Sequence, residues 1–258
     1  MDLVLSQLDD ILLNDIYKYT TLTDPNNIIR QCISVFLFTW LSIYMIYMIS
    51  GTILYHYTFD KKHIKDPRYL PNQMWQEIWV STYSLFFVTL WTTPIIVAEV
   101  NGYSKLHLNE IKSISDLIDT LGYFVLYFML SDLSLYILHR ISHQRLIYPY
   151  LHKVHHKFLI STPFAGPAFH PIDAWGQALP YQFWVFILPI NKILFLIYLS
   201  SMGLWAVILH DQFHYLDKQM IINGTLHHTI HHRRPNNNYG QHLCIWDRMF
   251  GTHTMKLK

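Results

Sequence analysis

The sequence predicts an all-α integral membrane protein: three helical crossings and a helical hairpin, four to five apolar segments in all, with a cytosolic, histidine-rich helical cap. Three observations carry that expectation. Only 14% of the 258 residues are charged while 52% are apolar, against a usual charged share of about 25%. Several windows supply the roughly 20 apolar residues needed to cross a hydrocarbon core about 30 Å thick. The 17 histidines gather where those windows end. The same composition excludes disorder and collagen-like repeats.

Residues 1–32 form an N-terminal segment in which Leu3 to Tyr17 places Val4, Leu8, Ile11 and Leu12 at helical spacing among Asp9, Asp10 and Asp15. That pattern predicts an amphipathic surface helix. It has neither the basic start nor the apolar centre of a signal peptide, so the next window is expected to act as an uncleaved anchor. Residues 33–138 form the transmembrane region. Ile33 to Tyr57 and Ile78 to Ala98 contain no Asp, Glu, Lys or Arg, and Pro94 stands where it can bend the end of the second. Leu117 to Leu138 is interrupted by Asp119 and Asp132. Residues 139–258 form a histidine-rich region, which includes the expected membrane hairpin 174–209. That stretch has Lys192 as its one charge, is too long for one crossing, and is broken by Pro189-Ile190-Asn191-Lys192. There is no internal repeat, low-complexity tract or linker between soluble domains.

Four histidine motifs lie at membrane exits. His139-Arg-Ile-Ser-His143 follows the third window, and His152-Lys-Val-His155-His156 follows it in turn. His210-Asp-Gln-Phe-His214 follows the hairpin, and His228-Thr-Ile-His231-His232 comes shortly after. Spacings of three and four residues put side chains on one helical face. Imidazole is a ligand for Zn, Cu, Fe and Ni, and ten exceed what one four-coordinate site can use, so two metals are the economical reading. No Glu-x-x-His occurs, which sets this shell apart from that of the ferritin-like di-iron bundles. The bland alternative is helix caps, headgroup contacts and hydrogen-bonded core positions; it suits one pair better than four motifs.

An even number of crossings separates the first two motifs from the last two, so all ten histidines share a side. Lys61, Lys62, Lys65, Arg68, Arg140, Arg145, Lys153, Lys157, Arg233 and Arg234 fall on it too, and the positive-inside rule makes it cytosolic. The N-terminus is then luminal, and the sequon Asn223-Gly-Thr225 is cytosolic and unmodified. A net charge of +2 gives no field to gather nucleic acid. Cys32 and Cys244 fit no metal-ligand spacing and are read as bystanders. Trp40, Tyr44, Tyr47, Trp184 and Trp205 are read as lipid-facing or interfacial rings.

The four motifs resemble those of the fatty acid hydroxylase and sterol desaturase superfamily. The runs LHKVHHKFLISTPFAGPAFHPIDAWGQALPY (151–181), INGTLHHTIHH (222–232) and NYGQHLCIWDRMFGT (238–252) narrow the likeness to the sterol C-5 desaturases (lathosterol oxidases), across roughly the C-terminal half of the chain. The resemblance implies two iron ions held by His139, His143, His152, His155, His156, His210, His214, His228, His231 and His232. The His210 to His214 motif is similar to that of plant members; animal and fungal members carry another residue where His214 stands. His227 adjoins the last motif but lies off its pattern. Asp132, costly at membrane depth, is a candidate for ordering the site or meeting a sterol hydroxyl. Asp211 is a candidate for holding a ligand imidazole or capping a helix. His170 is a candidate contact to ligand or substrate, or a capped turn before Pro171.

The activity implied is introduction of a 5,6 double bond into a 7-ene sterol with O2, as breaking an unactivated C–H bond is work for a metal cofactor. Cytochrome b5 and its NAD(P)H-dependent reductase are the implied electron donors. The HPGG haem motif is missing, since His170 is followed by Pro-Ile-Asp, so the donor is expected to be separate and to dock on the basic face. A fatty acid hydroxylase or sterol C-4 methyl oxidase of the same superfamily is the alternative, and a non-catalytic zinc-binding membrane protein a second. Residence in the endoplasmic reticulum is implied, with Lys256 and Lys258 a slight retrieval signal.

Overall fold

The computed structural model describes residues 2–213 and 221–255, so His214, Lys256 and Lys258 lie outside the described residues. The described chain is helical, with no strand among its elements. It opens with α1 (Asp2–Leu8), a π-helical turn Asp9–Leu13, and α2 (Asn14–Tyr17). The expected apolar face is not the one buried. Ile11 and Leu12 are exposed, and Leu5, Asp9 and Tyr17 turn inward instead. A π turn has more residues than an α turn, which shifts the face that follows it, and a buried cation sets what must face in. Arg30 is enclosed, with Asp9 at 2.5 Å, Asn14 Oδ1 at 2.7 Å and the Thr23 carbonyl at 2.6 Å.

Among the described residues, four helices are long and apolar enough to cross a membrane. They are α3 (Ile28–Tyr57), α4 (Gln73–Val100), α5 (Ile114–Ser142) and, after α6 (Pro171–Phe183), α7 (Lys192–Leu209). Asn27 caps α3, a reciprocal Ser113–Asp116 box caps α5, and Asn191 caps α7. The hairpin turns at its Pro189 to Lys192 break. Its first arm, α6, has 13 residues, about 20 Å at 1.5 Å per residue, and the chain continues through a 3-10 turn at Trp184–Phe186. Pro94 sits inside α4 without ending it. Two short helices, α8 (Thr225–Arg233) and α9 (Ile245–Met249), follow among the described residues.

The helices are apolar outside and polar inside, the reverse of a water-soluble bundle. Leu37, Leu41, Met45, Ile49 and Ile53 form an exposed row four residues apart on α3, while α4 buries Gln73, Glu77, Ser81 and Ser84. In lipid a polar group gains by finding a protein partner, and apolar side chains are free to face outward. Glu77 accepts from Gln73 Nε2 at 2.6 Å and Thr162 N at 3.2 Å, and from the Thr162 hydroxyl. Ser81 and Tyr47 both donate to the Phe164 carbonyl, at 2.9 and 3.0 Å. Tyr47 is therefore core and not lipid-facing. Trp205 Nε1 and Trp184 Nε1 donate to the Gln241 carbonyl and Ser134 Oγ.

The turn 162–168 is held tightly in this interior. A Cβ on Gly166 would stand 2.8 Å from the Ala206 carbonyl oxygen, and one on Gly51 2.7 Å from the Phe164 ring. Only glycine permits such approaches. The C-terminal ends of α3, α5 and α7 and the N-terminal ends of α4 and α6 meet at one pole. Thr58 Oγ1 there donates to Asp211 at 2.6 Å, Gln73 to the Ile160 carbonyl at 2.8 Å, and Ser142 Oγ to Asp173 at 2.9 Å. At the other pole Lys192 pairs with Asp2 at 2.5 Å, and Leu5 packs on Val35, Ile96 and Val97.

Candidate metal centre

Nine of the ten expected histidines converge at the first pole, in two groups. His139, His143, His152, His156 and His231 form one; His155, His210, His228 and His232 form the other. In each, one ring nitrogen per residue lies within 4.8 Å of the rest. The last turn of α5 supplies His139 and, at its end, His143; the segment after it supplies His152, His155 and His156; His210 ends α7; and α8 projects His228, His231 and His232. Each motif is split between the groups where its spacing allows, so that adjacent His155 and His156, and His231 and His232, serve different ones.

Nitrogen spacings within the groups suit a shared cation. His143 and His231 approach to 3.2 Å, His155 and His210 to 3.4 Å, His210 and His228 to 3.0 Å, and His228 and His232 to 3.1 Å, Nε2 to Nε2 in each case. Imidazoles bound to one ion at about 2.0–2.1 Å stand at just such separations. Other ring nitrogens, although buried, have no partner among the described residues: His152 Nε2, His155 Nδ1, both nitrogens of His156, His228 Nδ1 and His232 Nδ1. Burying so many unsatisfied polar atoms is unfavourable, and a metal removes the penalty where it bonds. The donor set therefore fits metal ions.

Other atoms aim the rings. The Nδ1 atoms of His139, His210 and His231 donate to the Tyr239, Ala206 and Asn237 carbonyls at 2.9, 2.7 and 2.7 Å. His152 Nδ1 donates to Asp173 Oδ2 at 2.6 Å. These bonds fix the proton on Nδ1 and turn the Nε2 lone pair inward. Phe169 stacks on His155 at 3.8 Å between ring centres. Burial first, then neighbouring imidazoles, holds His143, His155, His156, His228, His231 and His232 well below the usual histidine range, and burial lowers His210 to about 4. All are neutral near pH 7, the form that binds metal.

Asp132, Asp211 and His170 each meet partners outside the nine converging histidines. Asp132 accepts from His242 N and Nδ1, Leu243 N and Trp246 Nε1, at 3.1, 2.7, 3.3 and 2.9 Å. It anchors the 242–246 segment and leaves no oxygen free for a sterol hydroxyl. Asp211 takes the Thr58 hydroxyl, with no imidazole hydrogen-bonded to it among the described residues; burial raises its pKa to about 6. His170 Nδ1 accepts from Ile172 N at 3.3 Å, which makes it the cap of α6. The sequon asparagine, Asn223, is buried and donates to the Gly240 carbonyl at 2.6 Å.

Two orienting acids escaped the reading of the sequence. Asp173 holds His152, and Asp247 accepts from Tyr239 N and Gly240 N, both at 2.8 Å, fixing the loop whose Tyr239 carbonyl receives His139. Each lies inside a quoted run, HPIDAW or CIWDRM. An acid embedded among apolar residues was the available signal.

The fatty acid hydroxylase family model matches residues 124–252. The chain is 39% identical over 237 residues to a Delta(7)-sterol 5(6)-desaturase of Aspergillus fumigatus, covering 92% of this chain and 67% of that one. It is 37% identical over 253 residues to a Delta(7)-sterol 5(6)-desaturase of Schizosaccharomyces pombe, covering 96% and 82%. It is 35% identical over 254 residues to the lathosterol oxidase of Homo sapiens, covering 98% and 85%. The likeness thus reaches well beyond the C-terminal half. No solved structure matches the chain.

Proposed function

The chain belongs to the fatty acid hydroxylase family, and from that premise we propose that it is a multi-pass membrane sterol desaturase that introduces the 5(6) double bond into a 7-ene sterol. The observation that carries the reading is the convergence of nine imidazoles, from four separate motifs, as two buried groups. Its relatives carry names for this reaction.

The residues proposed to hold two iron ions are His139, His143, His152, His156 and His231 for one, and His155, His210, His228 and His232 for the other; His214, the tenth histidine of the motifs, lies outside the described residues. Iron there supplies what no side chain can, activation of O2 to an oxidant able to take hydrogen from an unactivated C–H bond. The balance is one sterol CH–CH unit and O2, with two electrons and two protons from outside, giving C=C and two waters.

The protein's own part is placement. Asp173 and the carbonyls of Ala206, Asn237 and Tyr239 hold the ring protons of four ligands, so that the imidazoles stay neutral and aimed. Phe158, Ile160, Ala165 and Ala168, all at 0% exposure, belong to the same buried stretch and keep water from that side of the histidines. Hydroxylation and desaturation begin with the same hydrogen abstraction and part according to which second hydrogen the sterol presents.

The electron donor is proposed to be cytochrome b5 with its NAD(P)H-dependent reductase, the membrane that of the endoplasmic reticulum, and the histidine pole cytosolic. The contact of Thr58 with Asp211, and of Lys157 with Gln76 at 2.7 Å, brings the Lys61 to Arg68 loop to the histidine pole, where the positive-inside rule puts the cytosol.

Sterol profiling in cells lacking their own C-5 desaturase tests the proposal, with the intact chain compared to His155→Ala, His156→Ala at equal expression. Appearance of 5,7-diene sterols with the intact chain alone supports it. A hydroxylated lipid without diene would move the assignment to the hydroxylase members.

A further inference from the structure

His227 immediately precedes His228, so its side chain leaves α8 about 100° around the helix from it. It is 2% exposed, and neither ring nitrogen has a hydrogen-bond partner among the described residues. Facing it are two residues from other segments. Cys244, a free thiol 3% exposed, precedes α9, and His253 comes from the stretch after α9. One donor atom from each of the three lies within 4.8 Å of the others. The His227 and His253 rings are 5.4 Å apart and inclined by 24°. Asp247 Oδ2 is 3.5 Å from His227 Nε2.

From this cluster we infer a third metal site, separate from the histidine centre, in which His227, Cys244 and His253 bind one zinc-class divalent cation. The inference does not rest on the desaturase reading.

The chemistry selects the ion class. One thiolate and two imidazoles are borderline-soft donors and favour zinc over calcium or magnesium. Three protein donors leave one tetrahedral position, open to a water or to the Asp247 carboxylate 3.5 Å from His227. Bonds of about 2.0–2.3 Å draw tetrahedral donors to about 3.5 Å from one another, a modest closing from 4.8 Å. Without metal, burial and then Asp247 push the Cys244 thiol up to about 12, so the cation replaces the thiol proton on binding. His253 is only partly buried and gives the ion a way in from solution. The site would fasten α8, which carries three ligands of the histidine centre, to α9 and the 252–255 stretch.

Cobalt(II) distinguishes this site from the other, because the histidine groups contain no sulfur. The purified full-length chain in detergent is stripped with a chelator, reloaded with cobalt(II), and its near-ultraviolet thiolate-to-cobalt absorption recorded. The visible cobalt bands of the histidine groups show in the same sample that the chain is folded. The thiolate band should appear in the intact chain and in Cys32→Ser, and vanish in Cys244→Ser. In His253→Ala, at the partly exposed ligand, cobalt affinity judged by that band should fall at least tenfold. A folded intact chain without the band, or a band that survives Cys244→Ser, overturns the site. Should Cys244→Ser fail to fold, an unchanged titration in His253→Ala overturns it equally.

Discussion

His152 Nδ1 stands 2.6 Å from Asp173 Oδ2, with the two side chains 0% and 2% exposed. Asp173 also accepts from Ser142 Oγ at 2.9 Å and Gln177 Nε2 at 3.0 Å, so its carboxylate is fixed before it fixes the imidazole. Removing its charge should lower metal affinity about 10–100-fold, the usual effect of losing a partner that orients a ligand. Metal content of Asp173→Asn after dialysis checks this. Retention equal to the intact chain would refute an orienting role.

His170 supplies the contrast. It caps α6 and touches no ligand histidine among the described residues. His170→Ala should lower stability by about 1 kcal/mol and leave metal content and sterol product unchanged. Loss of metal in a folded His170→Ala chain would count against the cap assignment.

Acid should weaken the metal-free fold in a defined window. Burial holds His210 at about 4, against about 6.5 in the unfolded chain. Between those values the unfolded chain binds a proton that the fold excludes. Stability therefore rises with pH across the window, is complete above about 6.5, and is lost as pH falls through 4. Thermal midpoints of the metal-free chain in detergent, from pH 4 to pH 8, should climb and then level. A midpoint highest at pH 5 would contradict the assignment.

Two glycines should differ in kind. The Cβ of Gly166→Ala would meet the Ala206 carbonyl oxygen, which is backbone, whereas that of Gly51→Ala would meet the Phe164 ring, a side chain able to turn. Overpacking costs about 1–3 kcal/mol. Gly166→Ala should sit at the upper end and disturb His210 four residues beyond Ala206, with metal lost as well. Gly51→Ala should lose less stability and keep its metal. Thermal unfolding together with metal analysis separates the two.

Asp132 is an anchor, and its loss should show as such. Asp132→Ala strands His242 and Trp246 Nε1, two bonds to a charged acceptor worth about 1.5–3 kcal/mol each, so a destabilisation of about 3 kcal/mol or more is expected. Asp132→Asn keeps an acceptor oxygen and should fall between. Denaturation in detergent measures both. An Asp132→Ala chain as stable as the parent would remove the anchoring role.

The crossings were legible because each is a run of one kind of residue, and the histidine motifs because helical spacing marks a face. Their division into two groups was not. Which of His155 and His156 turns to which group depends on the 3-10 turn that carries them, and no period in the sequence encodes it. Asp173 and Asp211 show the same limit. Asp211 adjoins His210 and Asp173 adjoins no histidine of the four motifs, yet the path of the chain makes Asp173 the partner of His152 and Asp211 the partner of Thr58. The N-terminal face was misread because a buried Arg30 recruits Asp9 inward, a long-range pairing that outweighs local apolar pattern. His227 and Cys244 were passed over for a similar reason, since His253 and Cys244 join His227 only once α8 and α9 are placed.

The distance along the chain between partners has a bearing on biosynthesis. His143 and His231 are 88 residues apart, and His139 is aimed by a carbonyl 100 residues further on. A nascent chain can insert α3, α4 and α5 in the bilayer long before α8 leaves the ribosome, so translocation precedes metallation. Until then the α5 histidines wait without their counterparts, and any product truncated before α8 lacks three of the nine converging imidazoles however well it is inserted.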